Sequence, residues 1–390
     1  MDATGELRTI LERLLPREAT PYQLHEPELG ELEKARVMEA LDEGFVSYAG
    51  RHVTLFEEAL AKACGVTAAV AVVSGTAALH AMLLIEGIGR DDEVLCPALT
   101  FAATANAIVH SGATPHFVDS AVDDLGIDAE RLEAYLGRIA TLNDGRVVNR
   151  ASGRCIAGIV PVHIFGHFGD MDALKRVADR WGLPILEDAT EALGSIGCGH
   201  TPGSIGVSAA LSFNGNKIVT TGGGGAILTN DTELAQRLKH ITTTAKLPHP
   251  WRFVHDKVGY NYRLPNLNAA LGLAQVERLG DFVGAKRRLA AAYIDAFADA
   301  AHWRPLREPQ GCRSNYWLNA VLLPEPDMAL LEAALQNVHA AGYKCRPCWT
   351  PMHQLEIYAG HPRDELPVAE SLAARILCLP SSPRLASYLS

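Results

Sequence analysis

The chain has 390 residues, enough for a large hydrophobic core and, on length alone, for about two domains. Its 35 lysine and arginine residues stand against 45 aspartate and glutamate residues, a formal net charge of −10 with no basic block. This balance argues against nucleic acid as a partner, because phosphate neutralisation dominates such binding. The sequence contains no apolar run of about 18 residues, so it predicts no membrane span.

Cysteine and histidine usage gives no sign of a metal site. Residues 1–7 lack the charge and apolar core of a targeting segment, and the eight cysteines are scattered, so we expect reduced thiols and a cytoplasmic protein. Cys345 and Cys348 have the spacing of a metal or redox motif, but no second pair accompanies them. The 15 histidines form no His-Glu-x-x-His arrangement.

Short apolar runs alternate with helical patterns between about residue 69 and residue 240. Strands are predicted near 93–96, 114–118, 156–162, 184–187, 208–213 and 225–228, and helices over 102–110, 171–181 and 232–240. This order predicts an α/β fold with a mostly parallel sheet between two layers of helices.

The last third of the chain differs from this pattern. A long helical stretch over 269–300 leads to a smaller α+β region. We therefore predict a large domain at 1–268, followed by an interdomain helix and a small C-terminal domain at 269–390.

The first candidate site lies after the apolar strand that precedes Ser74. Ser74, Gly75 and Thr76 form a small-residue turn before an alanine-rich helix, and their hydroxyls and the N–H groups of a helix start suit a phosphate. Phe101 follows the next predicted strand and offers a ring that can stack on a flat cofactor. Such turns are common, however, and core packing is the usual role of a single phenylalanine.

The second candidate is the acidic end of the strand predicted over 184–187. Carboxylates at the C-terminal edge of a strand in an α/β sheet lie where ligands bind, so Asp188 can pair with a buried cation. The alternative is that acids here cap the next helix, which fits Glu187 or Glu191 better than Asp188.

Lys217 is the third candidate and the most informative. It lies between the apolar run that ends at Ser212 and four glycines at 222–225, a sequence that predicts a tight turn and open space around the amine. An enclosed lysine loses solvation, which favours the neutral amine that attacks a carbonyl to form a Schiff base. A surface lysine beside a flexible loop is the alternative.

In order and spacing these segments resemble the DegT/DnrJ/StrS family of sugar aminotransferases, which have the fold-type-I architecture of pyridoxal phosphate enzymes. The resemblance runs from Ser47 to Ser381 and includes the motif Gly-Tyr-Asn-Tyr-Arg at 259–263. It implies that Lys217 forms the Schiff base with pyridoxal phosphate in the large domain and that Asp188 holds the pyridine nitrogen.

The resemblance also assigns the other ligands of the cofactor. Gly75, Thr76 and Ser212 would lie at its phosphate, and Phe101 over its ring. Asn261 would reach the phosphate from the neighbouring subunit, which implies a homodimer with shared active sites.

Glu191 departs from the family pattern, because most members carry glutamine at the position that faces the cofactor's phenolic oxygen, although some perosamine-type members carry glutamate. A second carboxylate near the ring would alter its protonation.

Finer features indicate a substrate. An insertion over 143–155 and the segment 242–256 resemble aminotransferases of legionaminic acid and bacillosamine-type pathways. The expected reaction is transfer of an amino group from glutamate to C4 of a UDP-linked 2-acetamido-4-keto-2,6-dideoxyhexose, for bacterial surface glycans such as lipopolysaccharide. Cations that can hold the diphosphate are Lys246, Arg252, Arg263 and Arg346.

Three alternatives remain at this point. The first is an aminotransferase for a GDP-linked 4-ketosugar, either perosamine-like or N-acetylated. The second is a sugar dehydratase, but those relatives replace the lysine with histidine. The third is a pyridoxal phosphate-binding regulatory protein without turnover.

Overall fold

The protein is described by a computed structural model over residues 2–16 and 21–389. The helices in these ranges are α1 (Ala3–Leu14), α2 (Glu31–Asp42), α3 (Arg51–Cys64), α4 (Gly75–Ile85), α5 (Ala102–His110), α6 (Ala129–Ile139), α7 (Met171–Trp181), α8 (Thr232–Thr242), α9 (Asn266–Glu277), α10 (Leu279–Ala296), α11 (Met328–Ala340) and α12 (Pro367–Ala373). The strands are β1 (Ala68–Val72), β2 (Asp92–Pro97), β3 (Thr114–Val118), β4 (Ala140–Asn143), β5 (Arg146–Asn149), β6 (Cys155–Ile159), β7 (Leu186–Asp188), β8 (Ile196–Gly197), β9 (Ser208–Ser212), β10 (Gly225–Thr229), β11 (Arg304–Pro305), β12 (Cys312–Arg313), β13 (Asn319–Leu322), β14 (Arg346–Pro347) and β15 (Ile376–Leu379).

The central sheet has the order β3-β2-β6-β7-β9-β10-β1. Strand β2 pairs in parallel with β3 and β6, and β7 pairs in parallel with β9. Parallel bridges from Ile159 to Ile185 and from Val162 to Asp188 join β6 to β7. Strand β10 runs antiparallel to β9 and β1. The predicted α/β fold with a mostly parallel sheet is confirmed.

The sequence insertion folds as a hairpin that pairs with the start of β6. Strand β4 pairs with β5, and β5 pairs with the first residues of β6. Asp144 and Gly145 at the turn have φ of 49° and 77°. Two successive positive φ values are typical of the two-residue turns that match the twist of a hairpin, and Asp-Gly is a favoured pair there.

The C-terminal region contains a second, antiparallel sheet with the order β11-β13-β15-β14. Helix α1 packs in the core of this region, where Leu7 and Leu11 share a cluster with Trp303 and Val321. The N-terminal helix, which the sequence prediction placed in the large domain, therefore packs in the C-terminal core. The division at residues 268 and 269 stays a prediction, and its end points Met1 and Ser390 lie outside the described residues.

The helical stretch predicted over 269–300 is two helices, not one. Helix α9 ends at Glu277, α10 begins at Leu279, and Arg278 between them has non-helical backbone angles. The Arg278 guanidinium bonds to Glu28 and Glu33. Because these partners lie far away in sequence, helical periodicity alone gives no sign of the break.

Within residues 2–16 and 21–389, no helix combines the length and the apolar character needed to cross a membrane. The same residues include no group of three or more histidine, cysteine, aspartate or glutamate side chains placed to hold a metal ion.

Candidate active site

A cavity of about 550 Å³ opens where strands β1, β7 and β9 end. Seven of the nine predicted site residues line it: Ser74, Gly75, Thr76, Phe101, Glu191, Ser212 and Lys217. Asp188 lies buried at the end of β7, outside the lining, and Asn261 lies elsewhere on the surface. The fold therefore brings together side chains that are up to 143 positions apart in the sequence, from Ser74 to Lys217.

The start of α4 forms one wall of the cavity. Ser74 caps this helix by accepting a hydrogen bond from the Ala77 N–H, while the N–H groups of Gly75 and Thr76 have no acceptor among the described residues. Free N–H groups and the helix dipole favour an anion at this point. A Cβ added to Gly75 would lie only 2.9 Å from the Ser212 Cβ, so this close approach of helix and strand requires glycine.

Lys217 lies in the loop that follows β9. Its N–H donates to the Asn214 carbonyl at 3.0 Å, a turn that brings the side chain back over the cavity. Within the glycine run, Gly225 makes the closest approach to backbone atoms, because an added Cβ would come within 2.5 Å of the Ser74 carbonyl. The glycines thus allow β10 to pack against the start of α4.

The Lys217 amine has two close contacts. It donates to Glu191 Oε1 at 3.1 Å, and it lies 3.8 Å from the centre of the Trp317 ring. The enclosed lysine predicted from the sequence therefore has an aromatic wall on one side and a carboxylate on the other.

Glu191 is buried beside this amine. Its Oε2 accepts the Phe165 N–H at 2.8 Å. Burial raises the pKa of Glu191, and the positive charge of Lys217 opposes that shift. The carboxyl group therefore holds a proton more readily than an exposed glutamate does.

Asp188 is held from two sides beneath the cavity. Its Oδ2 accepts the Thr104 hydroxyl at 2.7 Å and its Oδ1 accepts the Thr190 N–H at 3.2 Å. Thr100 lies within 2.9 Å of the Thr104 hydroxyl. Sequence reasoning missed Thr104, although a threonine inside the apolar pattern of α5 was a signal of a buried polar contact.

Several residues of the cavity come from the C-terminal region and were also missed. Trp317 donates its indole N–H to the Asn216 carbonyl at 2.8 Å and so closes the cavity over the lysine loop. Trp349 lies 5.2 Å from the Phe165 ring and 6.4 Å from the Phe101 ring, centre to centre. These rings form an aromatic enclosure around Phe101, which itself is 58% exposed.

The cations predicted to hold the diphosphate lie in different environments. Arg346 lines the cavity, and its guanidinium has no hydrogen-bond or ion-pair partner in the described parts of the chain. Arg263 was a candidate for the diphosphate, but it pairs with Glu57 at 2.7 Å and bonds to the Ala71 carbonyl, so it is a structural cation. Lys246 lies over the Phe253 ring.

The cysteine pair at 345 and 348 is not a reactive site. Both thiols are buried and free. Cys348 lines the cavity, and burial raises its pKa to about 12, so the thiol stays protonated at neutral pH.

The residues present fit pyridoxal phosphate. The uncapped N–H groups at the start of α4 suit its phosphate, an amine at hydrogen-bond distance from a buried carboxyl suits its aldehyde, and the exposed Phe101 ring suits its flat face. Gly75 packs closely against the Ser212 and Thr190 side chains, so small residues shape the phosphate end.

Comparison with known proteins agrees with this geometry. A sequence profile of the DegT/DnrJ/EryC1/StrS aminotransferase family matches residues 27–388. The chain is 37% identical over 357 residues to a GDP-perosamine synthase of Caulobacter vibrioides, covering 91% of each chain. It is 34% identical over 366 residues to a GDP-perosamine synthase of Escherichia coli O157:H7, covering 93% of this chain and 94% of that relative.

A solved structure has the same fold. Helicobacter pylori PseC, an aminotransferase involved in the biosynthesis of pseudoaminic acid, superposes with a TM-score of 0.84 at 26% identity, over 94% of this chain and 98% of that one. None of these similarities singles out the legionaminic acid or bacillosamine branch expected from the insertion. The chain belongs to the DegT/DnrJ/EryC1/StrS aminotransferase family and is a pyridoxal phosphate-dependent nucleotide-sugar aminotransferase.

Proposed function

We propose that the protein transfers an amino group from glutamate to C4 of a GDP-linked 4-keto-6-deoxyhexose with a hydroxyl at C2, as in the formation of a perosamine-type sugar. The observation that carries the reaction type is the Lys217 amine, enclosed in the cavity at 3.1 Å from Glu191. The choice of GDP as the nucleotide is supported by two relatives named GDP-perosamine synthase that match more than nine-tenths of the chain.

Each predicted residue has a role in this proposal. Lys217 joins the cofactor and afterwards acts as the base that removes and returns a proton at the substrate carbon bearing nitrogen. Asp188 is the buried anion for the ring nitrogen, and Phe101 covers the ring face. Pyridoxal phosphate, when bound, supplies the electron sink that makes this proton transfer possible.

The phosphate of the cofactor would be held at one end of the cavity. The N–H groups of Gly75 and Thr76, with the hydroxyls of Ser74, Thr76 and Ser212, supply donors there. The dipole of α4 adds positive potential at that end.

Arg346 is the proposed contact for the sugar nucleotide. Its guanidinium lies at the cavity wall and has no partner within residues 2–16 and 21–389, and a guanidinium recognises phosphate oxygens in bidentate fashion. The aromatic enclosure beside it can cover the apolar face of the hexose.

The proposal includes a homodimer in which Asn261 completes the partner's site. Asn261 is exposed and lines no part of its own cavity. The same segment exposes apolar side chains, with Trp251 at 76% and Phe253 at 79% exposure. Large exposed apolar residues grouped in one segment favour a protein interface.

A second candidate is amination of a UDP-linked 2-acetamido-4-keto-2,6-dideoxyhexose. The hairpin formed by β4 and β5 and the segment 242–256 favour it, because they carry the resemblance to legionaminic acid and bacillosamine-type enzymes. The two substrates differ at C2, where a pocket built for an acetamido group would leave buried polar groups unpaired with a hydroxyl. Such a loss costs roughly 1–3 kcal/mol, or about ten- to a hundredfold in specificity.

The test is mass spectrometry of products from the purified protein with glutamate and a panel of GDP-, UDP- and dTDP-linked 4-ketosugars. Preferred amination of the GDP-linked 2-hydroxy sugar supports the proposal. Preferred amination of the UDP-linked acetamido sugar supports the second candidate. A protein that binds the cofactor and turns over no member of the panel would instead support a regulatory role.

A further inference from the structure

Glu191 is the proton acceptor nearest to the Lys217 amine. Its Oε1 lies 3.1 Å from Nζ, and in the described parts of the chain no other acceptor lies within hydrogen-bond distance of that nitrogen. The remaining close contact is the Trp317 ring face, which stabilises a cation but takes no proton. Among the described residues, Glu191 is therefore the one protein group that can take a proton directly from this amine.

The Glu191 side chain is fixed for this contact. The Phe165 N–H donates to Oε2 at 2.8 Å, which leaves Oε1 facing the amine. The carboxyl is buried, and that burial raises its pKa. A carboxylate held in this way can accept a proton at neutral pH.

Among the ionisable groups that the structure describes, Lys217 is the one cation paired with Glu191. Asp188 raises the pKa of Glu191 in the same direction as burial does. Cys348 and Cys378 lie on the other side, and burial raises the pKa values of both thiols, so they stay protonated and carry no charge.

A lysine must lose a proton before its nitrogen can attack a carbonyl carbon. We infer that Glu191 takes this proton directly from Lys217 when the protein captures its cofactor. One N–H bond of the ammonium breaks, its electron pair stays on nitrogen, and one O–H bond forms at Oε1. The ion pair becomes a neutral pair of unchanged total charge, which suits a cavity where a lone charge is costly.

This inference rests on the proposed role of Lys217 and adds a function for Glu191 that no contact with the substrate requires. It also predicts that glutamate and glutamine at position 191 differ in their ability to accept a proton from Lys217. A glutamine can accept the Phe165 N–H with its oxygen, but it then presents an amide NH₂ to Lys217. An amide nitrogen has no basic lone pair, so the proton would have to leave through water.

The test measures cofactor capture rather than turnover. The full-length chain is freed of cofactor and mixed with saturating pyridoxal phosphate in a stopped-flow absorbance experiment from about pH 6 to about pH 9.5. We expect Glu191→Gln to capture the cofactor at least about tenfold more slowly at neutral pH. This rate loss is smaller than the loss usually seen when a general base is removed, because water can accept the proton instead. The deficit shrinks at high pH, where hydroxide takes the proton.

Glu86→Gln is the matched control because burial also raises the pKa of the Glu86 carboxyl, while Glu86 lies at the far end of α4 and outside the lining of the cavity. We expect its capture rate to stay within about threefold of wild type, since the substitution leaves the surroundings of the Lys217 amine unchanged. Borohydride reduction and peptide mass spectrometry then locate the adduct in every variant.

The outcomes separate this inference from the proposed function. Equal capture rates for wild type and Glu191→Gln at every pH, with the adduct on Lys217, would overturn the inference and leave the proposed function intact. Equal slowing in Glu86→Gln would also overturn it, because loss of a carboxylate outside the cavity would then have the same effect. A wild-type adduct on another residue, such as Lys246, would overturn the role of Lys217 itself.

Discussion

The Thr104 hydroxyl donates to Asp188 Oδ2 at 2.7 Å, and it joins the first turn of α5 to the end of β7. Because Thr104 uses its proton for Asp188, its oxygen is free to accept from Thr100, 2.9 Å away. Thr190 N–H holds the other carboxylate oxygen. The orientation of Asp188 is thus set by two elements that meet beneath the cavity, and the carboxylate has little freedom to rotate.

Thr104→Val tests this arrangement. The valine has nearly the same shape but leaves a buried carboxylate oxygen without its donor, so we expect the free energy of unfolding to fall by about 1–3 kcal/mol. The rate of half-transamination with glutamate should fall about tenfold, because the carboxylate can turn away from the cofactor.

Thr104→Ser should restore most of that rate, since the serine keeps the hydroxyl. Thr242→Val is the control: Thr242 is equally buried, and its hydroxyl donates to the Leu238 carbonyl inside α8, away from the site. It should lose stability without losing rate. A Thr104→Val protein with wild-type rate would show that Asp188 keeps its position unaided.

Asp188→Asn addresses the charge of this residue rather than its position. The amide oxygen can keep one of the two donors, and the Thr104 hydroxyl can turn to accept from the new NH₂, so the fold should tolerate the change. We expect the variant to bind pyridoxal phosphate and to lose on the order of a hundredfold in half-transamination, because a charge-assisted bond becomes a neutral one. Single-turnover absorbance measurements give this rate, and an unchanged value would mean that another group holds the ring nitrogen.

The predicted site residues that line the cavity are those whose neighbours in sequence are also neighbours in space. Lys217 lies in the loop between β9 and β10, and Ser74 to Thr76 lie at one helix start, so strand, turn and glycine patterns were sufficient to group them. Buried parallel strands such as β2 appear in the sequence as short apolar runs. The predicted bounds of β2 therefore lie within about two residues of the bounds in the structure.

The missed residues depend on tertiary docking. Trp317 reaches Lys217 only because the chain after α10 folds back over the β9 loop, and a tryptophan in an apolar segment reads as core. Cys348 comes to the cavity through the pairing of β14 with β15, which also brings in Arg346, a residue predicted as a cation for the diphosphate but not linked to Lys217 by any local pattern. No local pattern links these segments to a lysine about a hundred or more positions away, so spacing alone could not identify them.

Mixing subunits tests whether the site is shared. A protein with Lys217→Ala lacks the amine, and one with Asn261→Ala lacks the side chain that we expect to cross the interface. If Asn261 serves the partner, a hybrid dimer has one site with both lesions and one with neither. We expect mixed subunits to regain up to about half of the wild-type activity per hybrid, because one of two sites is whole.

The measurement is amination rate after subunit exchange, which is verified by native mass spectrometry. Each variant mixed with itself serves as the control for the exchange procedure. If exchange is complete and the mixture shows only the sum of the separate activities, Asn261 acts within its own chain.

His167 makes stability depend on pH. Its side chain is buried, neither ring nitrogen has a partner among the described residues, and Tyr316 lies edge-on at 5.3 Å. Burial lowers the pKa of His167 to about 4, with Glu308 partly opposing. An unfolded histidine has a pKa of about 6.5, so between these two values the unfolded state binds a proton that the folded state does not.

Stability should therefore fall as the pH drops from about 6.5 to about 4, by up to roughly 3 kcal/mol from this group. Replacing His167 with leucine removes the titrating ring from an apolar site, so the slope of unfolding free energy against pH should decrease by up to one proton in that window. Urea unfolding at fixed protein concentration measures this slope. A His167→Leu protein with the wild-type slope would show that other groups cause the acid sensitivity.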